Sequence, residues 1–114
     1  MKITESDDMP PIDLVALGKM LGDDPALVQM ILGKFRAEIA GDIAALGDLA
    51  ASGEPIRALA HRLKATCSNA QAMPISNVTK LLQTAMAAGD SSLAPGLINA
   101  LQLERESLEK YLVD

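Results

Sequence analysis

Aromatic residues are scarce in this chain, with Phe35 and Tyr111 as the only two among 114 residues. Ala and Leu, by contrast, number 18 and 17. A β-sheet core is normally built from β-branched and aromatic side chains, whereas a helical core tolerates Ala, Leu and Met. The composition therefore argues against a β-sandwich or barrel and favours an all-α protein.

Cysteine and histidine each occur once, as Cys67 and His61. One cysteine cannot form an internal disulfide, and one of each residue cannot form a zinc site, so we predict no metal and no cofactor in this chain. The lack of disulfides is typical of the reducing cytoplasm. The first ten residues lack the apolar segment of a signal peptide. No apolar run approaches the roughly 20 residues of a membrane span. We therefore expect a cytoplasmic protein with no membrane partner.

Positive charge is also scarce, since the chain carries a net charge of −5. A general nucleic-acid binder needs a basic surface, and two aromatic residues cannot form a base-stacking platform. Neither GxGxxG nor GxxxxGK[ST] occurs, so no phosphate-binding loop is evident. We therefore predict no nucleic-acid partner and no nucleotide site.

Apolar residues recur every three or four positions through most of the chain, which predicts amphipathic helices. Residues 1–11 are predicted to be a polar tail, and residues 12–114 to be one domain. The domain opens with a short helix that ends at Gly22. A long helix follows, for which Asp23-Asp24-Pro25 supplies a cap and a proline at the first helical position.

Three further helices are predicted, the first from Glu54-Pro55, the next from Met73-Pro74 and the last around Leu97 to Leu112. Short connections make neighbouring helices antiparallel. We therefore predict an up-down-up-down four-helix bundle with a short additional N-terminal helix, and we expect a monomer.

Several side chains carry simpler expectations. Leu81 and Leu82 are placed on the apolar stripe of the fourth helix, and Cys67 is expected to be buried. Glu109 is expected on a solvated face, partly paired with its neighbours Arg105 and Lys110. Four methionines are expected to fill the core: Met20, Met30, Met73 and Met86.

His61 is predicted to point away from the core. It lies two residues from Leu59 and two from Leu63, both of which belong on the buried stripe. At ~100° per residue, the histidine lies about 160° from each leucine. The imidazole is therefore expected at the surface.

The surroundings of His61 differ from the rest of the chain in charge. Residues 55–89 contain four basic residues and no Asp or Glu, although the whole chain is acidic. Positions three, four and seven away share the histidine's face, and they hold small or basic side chains: Arg57, Ala58, Lys64, Ala65 and Ser68. Such a patch suits a phosphoryl group or a partner with an acidic site.

The segment Ala60-His61-Arg62-Leu63-Lys64-Ala65-Thr66-Cys67-Ser68-Asn69 resembles the signature of histidine-containing phosphotransfer (Hpt) domains, A-H-x-L-K-G-[SA]-[SA]. The similarity extends over about residues 12 to 112. It implies a four-helix bundle whose exposed histidine carries a phosphoryl group between the aspartates of receiver domains. Such a protein is a phosphorelay intermediate with no kinase activity of its own.

Carried over by position, the resemblance makes His61 the phosphoryl acceptor, through Nε2. Lys64 would stabilise the phosphoryl group, and Gln83 matches a glutamine that in some members orients the histidine. The partners implied are receiver domains of response regulators or a hybrid sensor histidine kinase, which would also bring Mg²⁺. Docking is expected on the face of His61 through five side chains: Arg57, Ala58, Arg62, Ala65 and Ser68.

The sequence departs from the family pattern at two positions. Ala65 stands where glycine usually follows the lysine, and Gln71 stands where a later glycine is common. Two other interpretations remain. One is a helical adaptor that keeps the bundle but has lost the phosphoryl chemistry, and the other is an unrelated four-helix ligand or scaffold protein.

Overall fold

A computed structural model describes residues 10–113 of the chain, and side chains as far as residue 112. The predicted polar tail falls outside the described residues except for its last two prolines, and so does Asp114. The described elements are helical throughout, which confirms the all-α class. They are α1 (Leu14–Met20), α2 (Pro25–Ala51), α3 (Arg57–Asn69), α4 (Met73–Ala87), a 3-10 turn (Ser91–Leu93) and α5 (Ala94–Val113).

The four longer helices surround one apolar core. Helix α2 packs against α3 and α5, and α4 packs against the same two helices, so that α2 to α5 form a ring. The short helix α1 lies against α2. Residues that recur at helical spacing supply the core, which includes Ile39, Ile43, Leu46, Leu63, Cys67, Ile75, Leu82, Leu101 and Leu108.

The start of α2 follows the predicted signal. Asp24 is the N-cap, and its carboxylate accepts hydrogen bonds from the backbone N–H groups of Ala26 and Leu27. Pro25 occupies the first turn, where a missing N–H costs nothing. The cap and the proline together fix where the chain enters the longest helix.

The predicted start of α3 at Glu54-Pro55 is wrong by two residues. Gly53 adopts a left-handed conformation (φ 76°), and the helix begins only at Arg57. Ile56 is the N-cap residue, and its buried side chain belongs to the core. Its carbonyl accepts the first helical hydrogen bond, from the N–H of Ala60. Burial of Ile56, rather than the proline, therefore sets the helix start.

The turn from α3 to α4 depends on Gln71. This residue has a φ of 67°, in the left-handed region that favours glycine. The N–H of Ala72 donates to the carbonyl of Cys67 at 2.8 Å, and the N–H of Gln71 donates to that of Ser68 at 3.1 Å. These are the two bonds of a Schellman motif. The glycine that is common here in the family therefore has a conformational reason.

Two side-chain contacts fix how α3 and α4 lie against each other. The hydroxyls of Ser68 and Ser76 are 2.6 Å apart, and the ring of His61 is 3.2 Å from the amide of Gln83. As the residue number falls along α3 it rises along α4, so the two helices run in opposite directions. These two contacts therefore define the register of the helices, that is, which residue of α4 lies opposite each residue of α3.

Several expectations about individual side chains are wrong. Met20, Met30 and Met73 are exposed, and so is Leu81; of the four methionines, only Met86 packs partly against the core. Met30, for example, lies two residues before buried Leu32, which turns it to the opposite side of α2. Helical phase, rather than hydrophobicity, decides which of these residues are buried.

The last helix is tied to α2 by an ion pair that was not expected. Glu109 accepts two hydrogen bonds from the guanidinium of Arg36, at 2.9 and 2.5 Å, rather than pairing mainly with neighbours on α5. This bidentate contact lowers the pKa of Glu109, with a smaller contribution from the charge of Arg105. The pair joins the first and last long helices of the bundle.

Candidate functional site

The imidazole of His61 is exposed on the outer side of α3. Three other residues of α3 are fully buried and hold the inner side of this helix against the core: Ala60, Leu63 and Cys67. The helical phase predicted this exposure. Because α3 is anchored by its apolar face, the ring is presented on a rigid support rather than on a loop.

One ring nitrogen of His61 already has a partner. The side-chain amide nitrogen of Gln83, on α4, lies 3.2 Å from Nδ1. If this nitrogen donates, Nδ1 accepts, and a neutral ring must then carry its proton on Nε2. If the amide turns over, its oxygen accepts from Nδ1–H and the lone pair of Nε2 becomes available. Gln83 can therefore hold the ring in place in either tautomer, and Nε2 is the nitrogen left for a partner.

A cleft of about 350 Å³ opens on the α4 side of His61. We call this side the α4 flank; its lining residues are Arg57, Lys64, Lys80, Gln83, Thr84 and Ala87. Three of them are basic, and none is acidic. The residue that bonds to the imidazole, Gln83, is also part of the cleft wall. The charge segregation in the sequence thus becomes a local, cationic groove beside the histidine.

The opposite side of His61, which we call the α2 flank, is arranged differently. Arg62 donates a 2.7 Å hydrogen bond to Asp42 of α2, and Thr66 donates one of 3.2 Å to Glu38. Asp42 is only 6% exposed. Arg62, predicted as a docking residue, is therefore held by a carboxylate, although its side chain stays largely accessible.

Asp42 was missed by the sequence reasoning, and a signal for it existed. It lies three residues after Ile39 and four before Leu46, both fully buried, so its phase places a carboxylate on the apolar stripe of α2. A buried carboxylate needs a donor. Arg62 satisfies one oxygen, while Oδ2 has no partner among the described residues.

The predicted docking residues fall into two groups. Arg57, Ala58 and Ala65 are exposed around His61 and leave the ring accessible. Ser68 instead turns toward α4, where it is half-buried and bonded to Ser76. The structure therefore brings together His61, Lys64, Gln83 and the small residues, but uses Ser68 to join helices. Whether any of them contacts a partner stays a prediction.

The cysteine belongs to the core behind the α2 flank. Burial raises the pKa of the Cys67 thiol to about 12, with smaller contributions from the negative charges of Asp42 and Glu38. A protonated, buried thiol is a poor nucleophile and a poor metal ligand. The side chain acts as a small apolar group, as its phase predicted.

Two other properties bear on the kind of site. Among residues 10–113, no three His, Cys, Asp or Glu side chains cluster in a way that could hold a metal ion. Within the same residues, no helix is both long enough and apolar enough to cross a bilayer. The chemistry the described site offers is that of one imidazole, its amide partner and nearby cations.

An exposed histidine on an anchored helix, flanked by small residues and a cationic groove, is accessible to another protein and has the chemistry of a nucleophile. A family model for the Hpt domain matches residues 30–111, which is most of the chain. The chain therefore belongs to the Hpt domain family. Membership implies a part in histidine phosphotransfer within a phosphorelay, and such domains carry phosphoryl groups rather than act as autonomous kinases. No curated protein and no solved structure matches the chain.

Proposed function

We propose that this chain accepts a phosphoryl group on Nε2 of His61 from the aspartate of one receiver domain and passes it to another. The observation that carries this proposal is the geometry of His61. The ring is exposed on α3, and its other nitrogen is held by Gln83, 3.2 Å away. A nucleophile in this position can be reached by a protein partner.

The transfer exchanges one bond for another. Nε2 of His61 attacks the phosphorus of an aspartyl phosphate, the P–O bond to the aspartate breaks, and the aspartate leaves as a carboxylate. Onward transfer reverses these steps with a second receiver. Phosphoryl transfer passes through a loose transition state, so positioning and charge stabilisation provide most of the catalysis. Lys64, one turn along α3, stabilises the charge on the phosphoryl oxygens.

Gln83 keeps the ring oriented through both halves of the exchange. Before transfer its amide oxygen accepts from Nδ1–H, which leaves the lone pair of Nε2 available. Once Nε2 carries phosphorus and Nδ1 has released its proton to solvent, the amide nitrogen can instead donate to Nδ1. An amide offers a donor and an acceptor at similar positions, so a rotation of its terminal torsion is enough.

The partner supplies what this chain lacks. A receiver domain or hybrid sensor kinase brings the phosphorylated aspartate and Mg²⁺, and it docks over Arg57, Ala58, Arg62 and Ala65. We also propose that the four long helices follow one another in up-down-up-down order. The protein is further proposed to be a monomer and to be located in the cytoplasm.

The direct test is incubation of the full chain with a phosphorylated receiver domain, followed by measurement of acid-labile phosphate. We expect label on the wild-type chain and none on His61→Gln. A lysine outside the cleft, in Lys34→Gln, provides a control that should retain the label. Equal label in His61→Gln would contradict the proposal. A chain that binds the receiver equally well with or without His61, and takes up no label, would be the helical adaptor instead.

A further inference from the structure

The register of α3 against α4 places two lysines opposite each other. His61 pairs with Gln83, and Ser68 with Ser76. Lys64 lies one turn from His61 on α3, in the direction of Ser68. Lys80 lies one turn from Gln83 on α4, in the direction of Ser76. The two residues line the same cleft. Lys80 is therefore level with Lys64 on the far wall, about one helical turn (~5.4 Å) from the His61–Gln83 contact.

None of the side chains that line the cleft is a carboxylate. Residues 55–89 contain neither Asp nor Glu. The ion pairs Arg36–Glu109 and Arg62–Asp42 both lie outside the cleft. Arg57, the third cation of the cleft, adds to the positive charge. Cations that line the same cleft repel each other, and the repulsion is relieved when an anion binds between them.

The position of the cleft indicates which anion. Gln83 both lines the cleft and contacts Nδ1 of His61, and Lys64 of the cleft is one helical turn from His61. The flexible four-carbon stem of a lysine lets its ammonium group extend from the cleft toward a group attached to Nε2. A phosphoryl group on histidine carries close to two negative charges and three acceptor oxygens, which a compact ammonium group suits well. One lysine on each wall would hold such a group from two sides.

We propose that Lys80 is a second positioning cation, which acts with Lys64 to bind the phosphoryl group carried by His61. This inference rests on the proposed function of His61 as acceptor. It adds a residue from α4 that lies outside the histidine motif, and it makes the cleft a phosphate-binding subsite rather than a solvated groove.

The test uses phosphoramidate, a small-molecule donor that needs no protein partner. In this reaction Nε2 of His61 bonds to phosphorus, the P–N bond of the donor breaks, and ammonia leaves. The appearance of phosphohistidine on the full chain is then followed over time by ³¹P NMR, which gives the rate of labelling. The variants are Lys80→Gln, Lys80→Arg and, as a matched control on α2, Lys34→Gln.

An ammonium group beside the phosphoryl oxygens stabilises their charge during transfer, so Lys80→Gln should slow labelling by roughly 10-fold. Lys80→Arg should restore most of the wild-type rate, and Lys34→Gln should leave it unchanged. A structural role of Lys80 would not produce this pattern. An unchanged rate of labelling in Lys80→Gln would overturn the inference while leaving His61 as acceptor. Failure of phosphoramidate to label His61 would overturn the inference, whereas failure of a receiver alone would count only against the proposed function.

Discussion

The two flanks of His61 share one helix but differ in how their charges are used. On the α2 flank, Arg62 is bonded to buried Asp42, and Glu38 accepts from Thr66, so charges and polar groups are paired within the protein. On the α4 flank, Lys64 and Lys80 line an open cleft without a carboxylate. Paired charges join helices, whereas unpaired charges of one sign are available to a ligand.

An acidic chain can still present a positively charged surface beside one residue. The net charge of −5 is the sum over the whole chain, and all of its Asp and Glu residues lie outside residues 55–89. The α2 flank fixes the position of α3, and the α4 flank supplies the positive potential. His61 lies between the two, held through Nδ1 by Gln83 of the α4 flank.

The largest expected effect concerns Cys67, behind the α2 flank. Burial and the charges of Asp42 and Glu38 raise the pKa of its thiol from 9.0 to about 12. At pH 8 the folded protein should therefore react with iodoacetamide roughly 1000-fold more slowly than the urea-unfolded chain. Asp42→Asn should lower the pKa and speed the reaction. Equal rates in the folded and unfolded protein would show that neither burial nor the charges of Asp42 and Glu38 protect the thiol.

The same thiol predicts a pH dependence of stability. The pKa of this thiol is higher in the folded protein than in the unfolded chain, so the unfolded chain ionises first as the pH rises. That ionisation stabilises the unfolded chain and lowers the free energy of unfolding. The contribution of the thiol to stability is therefore complete below pH 9 and is lost as the pH rises from 9.0 toward 12. Cys67→Ser, which cannot ionise in this range, should show a smaller loss in urea denaturation. An identical loss in both proteins would assign it to other groups.

The next effect concerns Lys64 on the α4 flank. Lys64→Ala removes a cation beside the phosphoryl group and should slow transfer from a phosphorylated receiver by roughly 10- to 100-fold, as when a preorganised donor to a transition-state charge is lost. Lys34→Ala makes the same change on α2 and should have little effect. Circular dichroism checks that both variants stay helical. Equal slowing by the two changes would mean that total charge matters rather than the flank.

A smaller effect is expected for Gln83. Gln83→Ala removes one neutral hydrogen bond to the ring, which corresponds to a roughly 2- to 10-fold slower transfer. The cleft keeps its cations, so this loss should be smaller than that of Lys64→Ala. The rates of transfer from the same phosphorylated receiver domain compare the two variants. A loss as large as that of Lys64→Ala would mean that ring orientation matters as much as charge.

The smallest effect concerns the turn that sets the α4 flank. Gln71 adopts a left-handed conformation, which glycine accepts without a steric penalty. Gln71→Gly should therefore raise the free energy of unfolding by about 1 kcal/mol. Urea denaturation measures this change, and transfer kinetics should stay as in the wild type. A destabilised variant would mean that the glutamine side chain matters more than the backbone conformation.

Much of this fold could be predicted because it is encoded locally. The Asp24-Pro25 signal predicted the start of α2. The spacing from Leu59 and Leu63 predicted that His61 lies on the solvent-exposed face of α3. These inferences need only neighbours along one helix. The start of α3 was misplaced because burial of Ile56, a tertiary effect, outweighs the proline signal.

Contacts between helices were harder to predict, because periodicity gives the face of a helix but not its register against another. Gln83 was indicated only by the family resemblance, and neither Lys80 opposite Lys64 nor Asp42 beside Arg62 was foreseen. Asp42 could have been suspected from its place on an apolar stripe. Lys80 could not, since its partner position is defined only once Ser68 and Ser76 meet.

The most direct test of the account is to locate the phosphate on the ring. The chain has one histidine, so ¹⁵N-labelled histidine gives a single imidazole signal set. After phosphorylation by a receiver domain, ¹H–¹⁵N correlation and ³¹P coupling should place phosphorus on Nε2 of His61, with Nδ1 still sensitive to Gln83→Ala. Phosphorus on Nδ1, or on a residue other than His61, would contradict the account.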